Sequence, residues 1–366
     1  MTSQELKRTL AEASQVFVLT DEHVVSLWLA ETKHWLGCRN AVDVVVPAGE
    51  GYKTLDTARQ VWETLLSHHA DRDAVLVNLG GGMVCDLGGF AAACYQRGIR
   101  FVNMPTTLLA MVDAAFGGKT GVDFGGAKNQ LGVFAEPLEV SVNPVYLSTL
   151  PDRELRSGLA EMLKYGYVAD PTMLAVGPDN YEQYLLRCGR IKRSVVLQDY
   201  RDEGSRKVLN FGHTVGHALE SWSWGTGCPM RHGEAVALGM GCALWLSCRL
   251  VGLDPAVLEA YRPRMWQLLG FPWESDAVAG EGSALRAEEL PSEAAASVGG
   301  ALARPFALPG DDDLDAVLAY LVHDKKNRSG EFRFVLLEAP GKPVVDQPVP
   351  ETLVRQSLQV VLDQCR

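Results

Sequence analysis

The sequence lacks the features that would place the chain in a membrane or on nucleic acid. Its longest apolar run, residues 237–248, is too short to span a bilayer and predicts a buried helix instead. The net charge of −11 disfavours nonspecific binding to nucleic acid or anionic lipid, since both require basic patches. The first residues also lack a signal-peptide pattern, so we expect a cytoplasmic protein with neither a membrane nor a nucleic-acid partner.

Paired cysteines and abundant histidines are also lacking. The eight cysteines form no C-x-x-C pair, and several lie in apolar runs, where a free thiol acts as a small hydrophobe. This pattern predicts neither a disulfide framework nor a thiolate zinc site. Only eight histidines occur, yet "NFGHTVGHALE" places His213 and His217 four residues apart, on the same face of a predicted helix.

The length of 366 residues is enough for two domains. Short β-branched runs at 16–21, 41–49, 73–82 and 101–107 predict strands. Residues 54–70 carry apolar residues at helical spacing, with Thr54 or Asp56 near the start of the predicted helix. Alternating strands and helices predict a parallel sheet flanked by helices, which binds ligands beyond the carboxyl ends of its strands.

Helical periodicity replaces the strand pattern after residue 148 and continues to about residue 270. We therefore predict an α/β domain over residues 1–150 and a helical domain over residues 151–366. Residues 277–310 are rich in Ala, Gly, Ser and Pro, and no regular element is assigned to them.

A glycine-rich segment, "NLGGGMVCDLGGF" (78–90), lies between a predicted strand and a helix. Glycines at this position let the backbone approach a phosphate at a helix N-terminus. The G-x-G-x-x-G pattern fails because Cys85 occupies the third glycine position, so both a dinucleotide site and a plain tight turn remain open. Asp86 either binds a ribose or caps the helix.

A second segment, "DAAFGGKTGVDFGGAKN" (113–129), combines glycines with Lys119, Lys128 and Asn129 in what reads as a loop. Arg97 lies nearby in the sequence. Lysine and asparagine beside glycine amides suit a phosphate dianion, and the alternative is a solvated loop.

The histidines suggest a metal site. "HTVGH" lacks the glutamate of H-E-x-x-H, but His232 follows in "RHGEAVALGM", and Glu161 lies in an apolar stretch where a carboxylate needs a partner. A mononuclear Zn²⁺ site with three protein ligands would provide one. From the residues alone, His213 with His217 and a glutamate, and His213 with His232 and Glu161, are both open.

Five segments together resemble the 3-dehydroquinate synthase family of the shikimate pathway: the two glycine segments, "GLAEMLKYG", "NFGHTVGHALE" and "RHGEAVALGM". The resemblance extends from about residue 45 to residue 337. It implies a Rossmann-like NAD-binding α/β domain, an all-α metal-binding domain and a homodimer. It also implies a lyase of aromatic amino acid biosynthesis that converts 3-deoxy-D-arabino-heptulosonate 7-phosphate to 3-dehydroquinate and phosphate. The implied steps are transient oxidation by NAD, phosphate elimination, reduction, ring opening and aldol closure.

The resemblance also implies a role for individual residues. It assigns the metal, Zn²⁺ or Co²⁺, to Glu161, His213 and His232, and makes His217 an acid/base residue beside the phosphate. The implied NAD contacts are Asp21, Glu50, Lys53, Gly81, Gly82, Met83, Asp86, Thr106, Thr107, Lys128, Tyr146, Leu147, Ser148 and Thr149. The implied substrate contacts are Arg97 from the neighbouring subunit, Asp113, Lys119, Asn129, Lys164, Lys192, Arg206, Asn210, His217 and Lys326. The implied catalytic residues are His217, Lys119, Lys164, Arg206 and Asp202.

Two departures from the family pattern stand out. Asp202, with Glu203 beside it, stands where the family has a glutamate four residues before Arg206, and the loop between His217 and His232 is longer than usual. The rival functions are another sugar-phosphate cyclase such as 2-deoxy-scyllo-inosose synthase, a sedoheptulose 7-phosphate cyclase, a metal-dependent polyol dehydrogenase and a non-catalytic relative. A non-catalytic relative would be expected to lose a metal ligand, and none is lost.

Overall fold

The computed structural model describes residues 3–125, 127–270, 306–322 and 332–365. Lys326 and residues 277–305 of the Ala-rich segment lie outside these ranges. The chain divides into two compact units. Unit one comprises Met1–Tyr165 and Thr172–Arg206, and unit two comprises Gly166–Pro171 and Lys207–Arg366.

Unit one is built on a parallel five-stranded sheet, as the sequence predicts. The strands are β1 (Val16–Asp21), β2 (Val42–Val46), β3 (Val75–Gly80), β4 (Arg100–Pro105) and β7 (Glu139–Val140). Their order is β2-β1-β3-β4-β7, and every neighbouring pair is parallel. Every residue of β3 is buried, as expected for a central strand covered on both faces.

Helices form much of the rest of unit one. They are α1 (Ser3–Ala11), α2 (Glu22–Val24), α3 (Ala30–Leu36), α4 (Leu55–Ser67), α5 (Gly82–Cys94), α6 (Asp152–Val168) and α7 (Leu185–Gln198). The last residues of α6 belong to unit two. Thr54 caps α4 by accepting a hydrogen bond from the amide of Thr57, which confirms the helix start predicted there. Val61 and Leu65 of α4 and Leu87 of α5 belong to the same buried core as the strands.

Helix α5 approaches β3 closely at Gly88, where the Asn78 side chain of the strand lies directly against the glycine. A Cβ built on Gly88 would lie 1.9 Å from Oδ1 of Asn78, so only glycine permits this approach. The Asn78 amide donates to Oδ1 of Asn103 (2.9 Å), and the Asn103 amide donates to the carbonyl of Ala115 (3.0 Å). These contacts hold the middle of α5 against β3 and tie β3 to β4 and to the backbone at Ala115.

The lysine- and glycine-rich segment forms an antiparallel hairpin rather than the expected loop. Its strands are β5 (Lys119–Phe124) and β6 (Ala127–Phe134), and Lys119 pairs with Phe134. Val122, fully buried, belongs to the main core, so burial of its side chain favours the strand conformation.

Unit two is largely helical, as predicted. Its helices are α8 (His213–Ser223), α9 (His232–Leu250), α10 (Pro255–Leu269), α11 (Leu314–Val322) and α12 (Glu351–Cys365). The predicted buried helix over 237–248 is confirmed, since α9 is buried continuously from Gly233 to Ser247. Unit two also contains an antiparallel hairpin, β8 (Phe332–Ala339) and β9 (Lys342–Val349), which the sequence analysis did not assign.

The division of the chain differs from the boundary expected at residue 150. Most of α6 packs with unit one, because its buried residues Lys164 and Tyr165 contact Asp113. All eight cysteines are free, in agreement with the absence of a predicted disulfide framework. None of the helices in the described part of the chain has the length and apolar character needed to cross a bilayer.

Candidate functional site

Several of the predicted cofactor residues lie at or just after the carboxyl ends of neighbouring strands of the parallel sheet, among them Asp21, Gly81 and Thr106. Strands β1, β2, β3 and β4 are neighbours, and their carboxyl ends are followed by Glu22, Pro47, Gly81 and Thr106 respectively. The Thr106 amide donates to the carbonyl of Gly80 (2.9 Å), which joins the ends of β3 and β4. This edge is where open α/β sheets bind their ligands.

The start of α5 offers an anion site at this edge. Gly81 is the N-cap of the helix, and a Cβ on it would lie 3.1 Å from Cγ2 of Thr107. A Cβ on Gly82 would lie 3.1 Å from Cβ of Ala114. Met83 follows in the first turn of the helix. The amides of this turn and the positive end of a 13-residue helix dipole suit a pyrophosphate.

Asp86 forms an ion pair with Lys53. The sequence suggests only that Asp86 binds a ribose or caps the helix. The ammonium of Lys53 lies 2.6 Å from Oδ2 of Asp86 and 3.6 Å from Oε1 of Glu50, and its side chain is 3% exposed. Burial alone would lower the pKa of Lys53, but the carboxylates of Asp86 and Glu50 outweigh this effect and raise the pKa above its usual value. Lys53 therefore carries a fixed positive charge beside the sheet edge.

The remaining predicted cofactor residues have structural partners of their own. Asp21 ends β1 and accepts hydrogen bonds from the amides of His23 and Val24. The turn that includes Tyr146, Leu147, Ser148 and Thr149 is a 3-10 helix, Pro144–Thr149. Trp28 Nε1 donates to the Thr149 hydroxyl (2.8 Å), and Lys128 lies in β6.

Five charged or hydroxyl side chains of unit one form a buried network around Asp113. Oδ2 of Asp113 lies 2.8 Å from the ammonium of Lys192, and Oδ1 lies 3.8 Å from that of Lys164. The Tyr165 hydroxyl lies 2.7 Å from the same Oδ1. Lys164 also pairs with Glu161, three residues earlier in α6, whose side chain is fully buried. The structure thus brings together four predicted site residues: Asp113, Glu161, Lys164 and Lys192.

Opposing effects set the pKa values in this network. Burial alone would raise the pKa of Asp113. The ammonium groups of Lys192 and Lys164 lower it by more, so the pKa lies well below its usual range. Burial lowers the pKa of Lys192, and Asp113 offsets this only in part. Asp113 is therefore held as a carboxylate between two ammonium groups.

Lys119 and Asn129 are not brought together. They lie at opposite ends of the β5–β6 hairpin, because Lys119 pairs with Phe134 whereas Asn129 is close to the turn. The Asn129 backbone has φ +50, and its amide donates to Oδ1 of Asp123 (2.7 Å). The single compact phosphate cradle expected from the sequence is therefore not present in this hairpin.

Lys119 instead pairs with Asp202, with 2.5 Å between Nζ and Oδ2. The nearby Arg206 is buried and donates to the carbonyl of Gly117 (2.8 Å) and that of Tyr200 (2.7 Å). Two of its nitrogens thus bind the backbone, which gives Arg206 a structural role that the sequence analysis did not anticipate.

Arg97 lies on an unusual turn. Gln96, Arg97 and Gly98 have φ values of +49°, +68° and +119°, and such left-handed conformations are uncommon outside glycine. Arg97 is exposed and lines a surface depression of about 430 Å³ that also includes Arg72 and Glu136.

Three histidines cluster in unit two. One nitrogen from each of His213, His217 and His232 lies within 4.8 Å of the others, although His232 comes from α9 and the other two from α8. Asn210 ends a 3-10 helix, Ser205–Asn210, three residues before His213. The structure therefore does not separate the two metal-ligand sets left open by the sequence, because all three imidazoles are within reach of one ion.

Two of these imidazoles are oriented as metal ligands usually are. Nδ1 of His213 lies 3.0 Å from the carbonyl oxygen of Phe211, and Nδ1 of His232 lies 3.2 Å from Oε2 of Glu220. Because a carbonyl or carboxylate oxygen accepts the hydrogen bond, Nδ1 is the donor in each ring, and Nε2 is the nitrogen left to face a metal. This donor set fits a divalent metal such as Zn²⁺.

Sequence reasoning missed four residues that hold the predicted ones in place. They are Tyr165 at Asp113, Glu220 at His232, Asp123 at Asn129 and Asp199, which accepts three backbone amides beside Arg206. Three of the four lie within motif segments noted in the sequence: Asp123 in residues 113–129, Tyr165 in "GLAEMLKYG" and Glu220 in "NFGHTVGHALE".

Comparison with known proteins gives consistent matches. The sequence models described as 3-dehydroquinate synthase N-terminal and C-terminal match residues 43–157 and 158–286. The chain is 39% identical to a 3-dehydroquinate synthase of Methylococcus capsulatus over 358 residues, which cover 94% of this chain and 89% of that protein.

Two solved structures have the same fold. A 2-deoxy-scyllo-inosose synthase complexed with carbaglucose-6-phosphate, NAD⁺ and Co²⁺ superimposes with a TM-score of 0.76 at 24% identity, covering 97% of this chain and 94% of that one. A 2-epi-5-epi-valiolone synthase from Streptomyces hygroscopicus, with NAD⁺ and Zn²⁺ bound, gives 0.75 at 24% identity, covering 96% and 91%.

Proposed function

Because the chain belongs to the 3-dehydroquinate synthase family, we propose that it converts 3-deoxy-D-arabino-heptulosonate 7-phosphate to 3-dehydroquinate and inorganic phosphate. The observation that carries this proposal is the three-histidine cluster, in which two imidazoles are oriented for a metal. The higher identity to 3-dehydroquinate synthases than to the cyclases of known structure favours this substrate over theirs.

The proposed metal ligands are Glu161, His213 and His232, the set that the family resemblance implies. NAD would lie at the carboxyl ends of the strands, with its pyrophosphate at Gly81–Met83. The ammonium of Lys53 would offset part of the negative charge of the pyrophosphate. When bound, NAD⁺ would act as the oxidant and the resulting NADH as the reductant, and the divalent cation would act as a Lewis acid.

The Asp113 network is the proposed binding site for the hydroxyl and carboxylate groups of the substrate. Lys164 and Lys192 are buried cations, so their interaction with an anionic substrate is weakened little by solvent. Asp113 accepts hydrogen bonds and would orient a hydroxyl between the two ammonium groups. Because these three side chains are already in place before the substrate binds, the final aldol closure requires mainly that the site hold one conformer of the substrate.

The phosphate would be held by Lys119, Asn129, His217 and Lys326. Their role is to orient the phosphate so that one of its own oxygens accepts the proton of the adjacent carbon while the C–O bond to phosphate breaks. Because Asn129 is distant from Lys119 along the hairpin, this proposal requires the hairpin to rearrange when the substrate binds.

Arg97 would reach the phosphate of the neighbouring subunit in a homodimer. An exposed arginine on a turn with three consecutive positive φ values supports a functional role, since such strain usually persists where function requires it. Arg97→Ala and Lys119→Ala should each be inactive alone, and mixed dimers of the two should regain activity. Failure of the mixture to regain activity would place Arg97 in its own subunit's site or outside any site.

The function is tested by mixing the purified, zinc-loaded chain with catalytic NAD⁺ and 3-deoxy-D-arabino-heptulosonate 7-phosphate. We expect equal amounts of phosphate and dehydroquinate, no lasting NADH absorbance, and loss of turnover with a chelator. Turnover of glucose 6-phosphate or sedoheptulose 7-phosphate instead would identify another cyclase. Accumulation of NADH from a simple polyol would identify a dehydrogenase.

A further inference from the structure

The Lys119–Asp202 ion pair links the residue proposed to bind phosphate to the residue that departs from the family pattern. The side chain of Asp202 is 16% exposed and that of Lys119 is 48% exposed. The neighbouring carboxylate, Glu203, is exposed. Asp202, at the position where the family has a glutamate, is therefore the carboxylate that pairs with Lys119.

The backbone around this pair is fixed from both sides. Arg206 donates to the carbonyl of Gly117, two residues before Lys119. Asp199 accepts hydrogen bonds from the amides of Glu203, Gly204 and Arg206, which closes the turn that carries Asp202. The backbone segments that carry Lys119 and Asp202 are therefore held close to each other.

The conformation of Asp202 accounts for the shorter side chain. Its φ is +58, a left-handed conformation that aspartate and asparagine adopt far more readily than glutamate. Within the described ranges, its Oδ1 is buried and has no hydrogen-bond partner, so the carboxylate interacts through Oδ2 with Lys119.

We propose that Asp202 is a positioning residue that competes with phosphate for Lys119. Without phosphate, the carboxylate holds the lysine; when the substrate binds, its phosphate takes the place of the carboxylate on the ammonium. After the C–O bond breaks, Asp202 recovers Lys119 and thereby promotes release of inorganic phosphate. This inference rests on the proposed function, because it assigns Lys119 to the phosphate.

The inference predicts the direction of a change in phosphate affinity. Asp202→Asn removes the competing charge and suits the left-handed backbone, so it should bind inorganic phosphate about two- to fivefold more tightly, the range for a partly exposed ion pair. Glu203→Gln is the matched control and should leave phosphate affinity unchanged.

The test is calorimetric titration of inorganic phosphate into the full-length chain saturated with NAD⁺ and Zn²⁺. Lys119→Ala should weaken binding, and Lys119→Ala/Asp202→Asn should bind no more tightly than Lys119→Ala, because the effect of Asp202 acts through the lysine. Unchanged or weaker binding by Asp202→Asn overturns the inference.

The two proposals fail in different ways. If the unaltered chain binds phosphate and forms dehydroquinate while Asp202→Asn shows no gain, only the competition by Asp202 is wrong. If the unaltered chain neither binds phosphate nor releases it from the substrate, the proposed function is wrong and this inference falls with it.

Discussion

Gly239 of α9 lies so close to Gly212 that a Cβ built on it would be 1.9 Å from the Gly212 carbonyl oxygen. Helices α8 and α9 therefore pack with their backbones in contact at this point. That close approach accompanies the clustering of His232 from α9 with His213 and His217 from α8. Gly239 thus permits the close approach between the helix that carries His232 and the helix that carries His213 and His217.

Substitution of Gly239 by alanine should disrupt the histidine cluster. The obstructing atom is backbone and cannot rotate away, so the helices must separate, at a cost of about 1–3 kcal/mol or more in the free energy of unfolding. We expect a lower Tm and weaker Zn²⁺ binding. Gly225→Ala is the control, because a Cβ there meets nothing within 4 Å. Equal Zn²⁺ affinity in both variants would contradict this role.

Single histidine substitutions should separate the two ligand sets that the geometry leaves open. If His213 and His232 are ligands, His213→Ala and His232→Ala should lose bound zinc, whereas His217→Ala should retain it and raise the KM for the substrate. Metal analysis after dialysis, combined with steady-state kinetics, measures both quantities. Loss of zinc from His217→Ala with retention in His232→Ala would favour the other set.

The hydrogen bond between Glu220 and His232 should strengthen metal binding. Glu220→Gln keeps the size of the side chain but removes the charge that orients the imidazole and makes it more basic. Outer partners of this kind typically contribute about 10- to 100-fold in metal affinity. Competition with a fluorescent zinc chelator measures the loss. An affinity equal to that of the unaltered chain would show that His232 needs no orienting carboxylate.

Tyr165 should act on catalysis through Asp113. Tyr165→Phe removes the hydroxyl 2.7 Å from Oδ1 of that carboxylate while preserving the buried ring. Loss of one hydrogen bond to a charged group costs about 1.5–3 kcal/mol, so kcat/KM should fall by about one to two orders of magnitude. The matched control is Tyr167→Phe, in the same helix but packed against Phe211 and Tyr261. Equal losses of kcat/KM would indicate a general packing defect.

Local patterns in the sequence were sufficient to predict the sheet, α4 and the buried helix α9. The β-branched runs marked four strands to within a few residues, and Thr54 marked the first turn of α4. These features depend on hydrophobic periodicity and on capping, and both involve residues close together in the chain.

The pairings at the candidate site could not be predicted in the same way. Lys53 pairs with Asp86, 33 residues away, and Lys119 pairs with Asp202, 83 residues away. Nothing in the local sequence states which distant carboxylate meets a given lysine, because the tertiary fold brings them together. The hairpin at Lys119 was also missed, since its glycines suggested a loop and burial of Val122 instead favours a strand.

Asp199 should make the stability of the chain depend on pH. Its pKa is lowered because its carboxylate accepts hydrogen bonds from the amides of Arg206, Glu203 and Gly204. An unfolded aspartate has a pKa of about 3.9, so the stabilisation is complete above that value and is lost as the pH falls through the lower folded pKa. Asp199→Asn should therefore lower the Tm at pH 7, and the difference in Tm should shrink towards pH 3. Thermal unfolding at pH 7, 5 and 3.5 measures this trend, with the exposed Asp179→Asn as control. A Tm difference that stays constant over this range would mean that the carboxylate charge adds nothing to these hydrogen bonds.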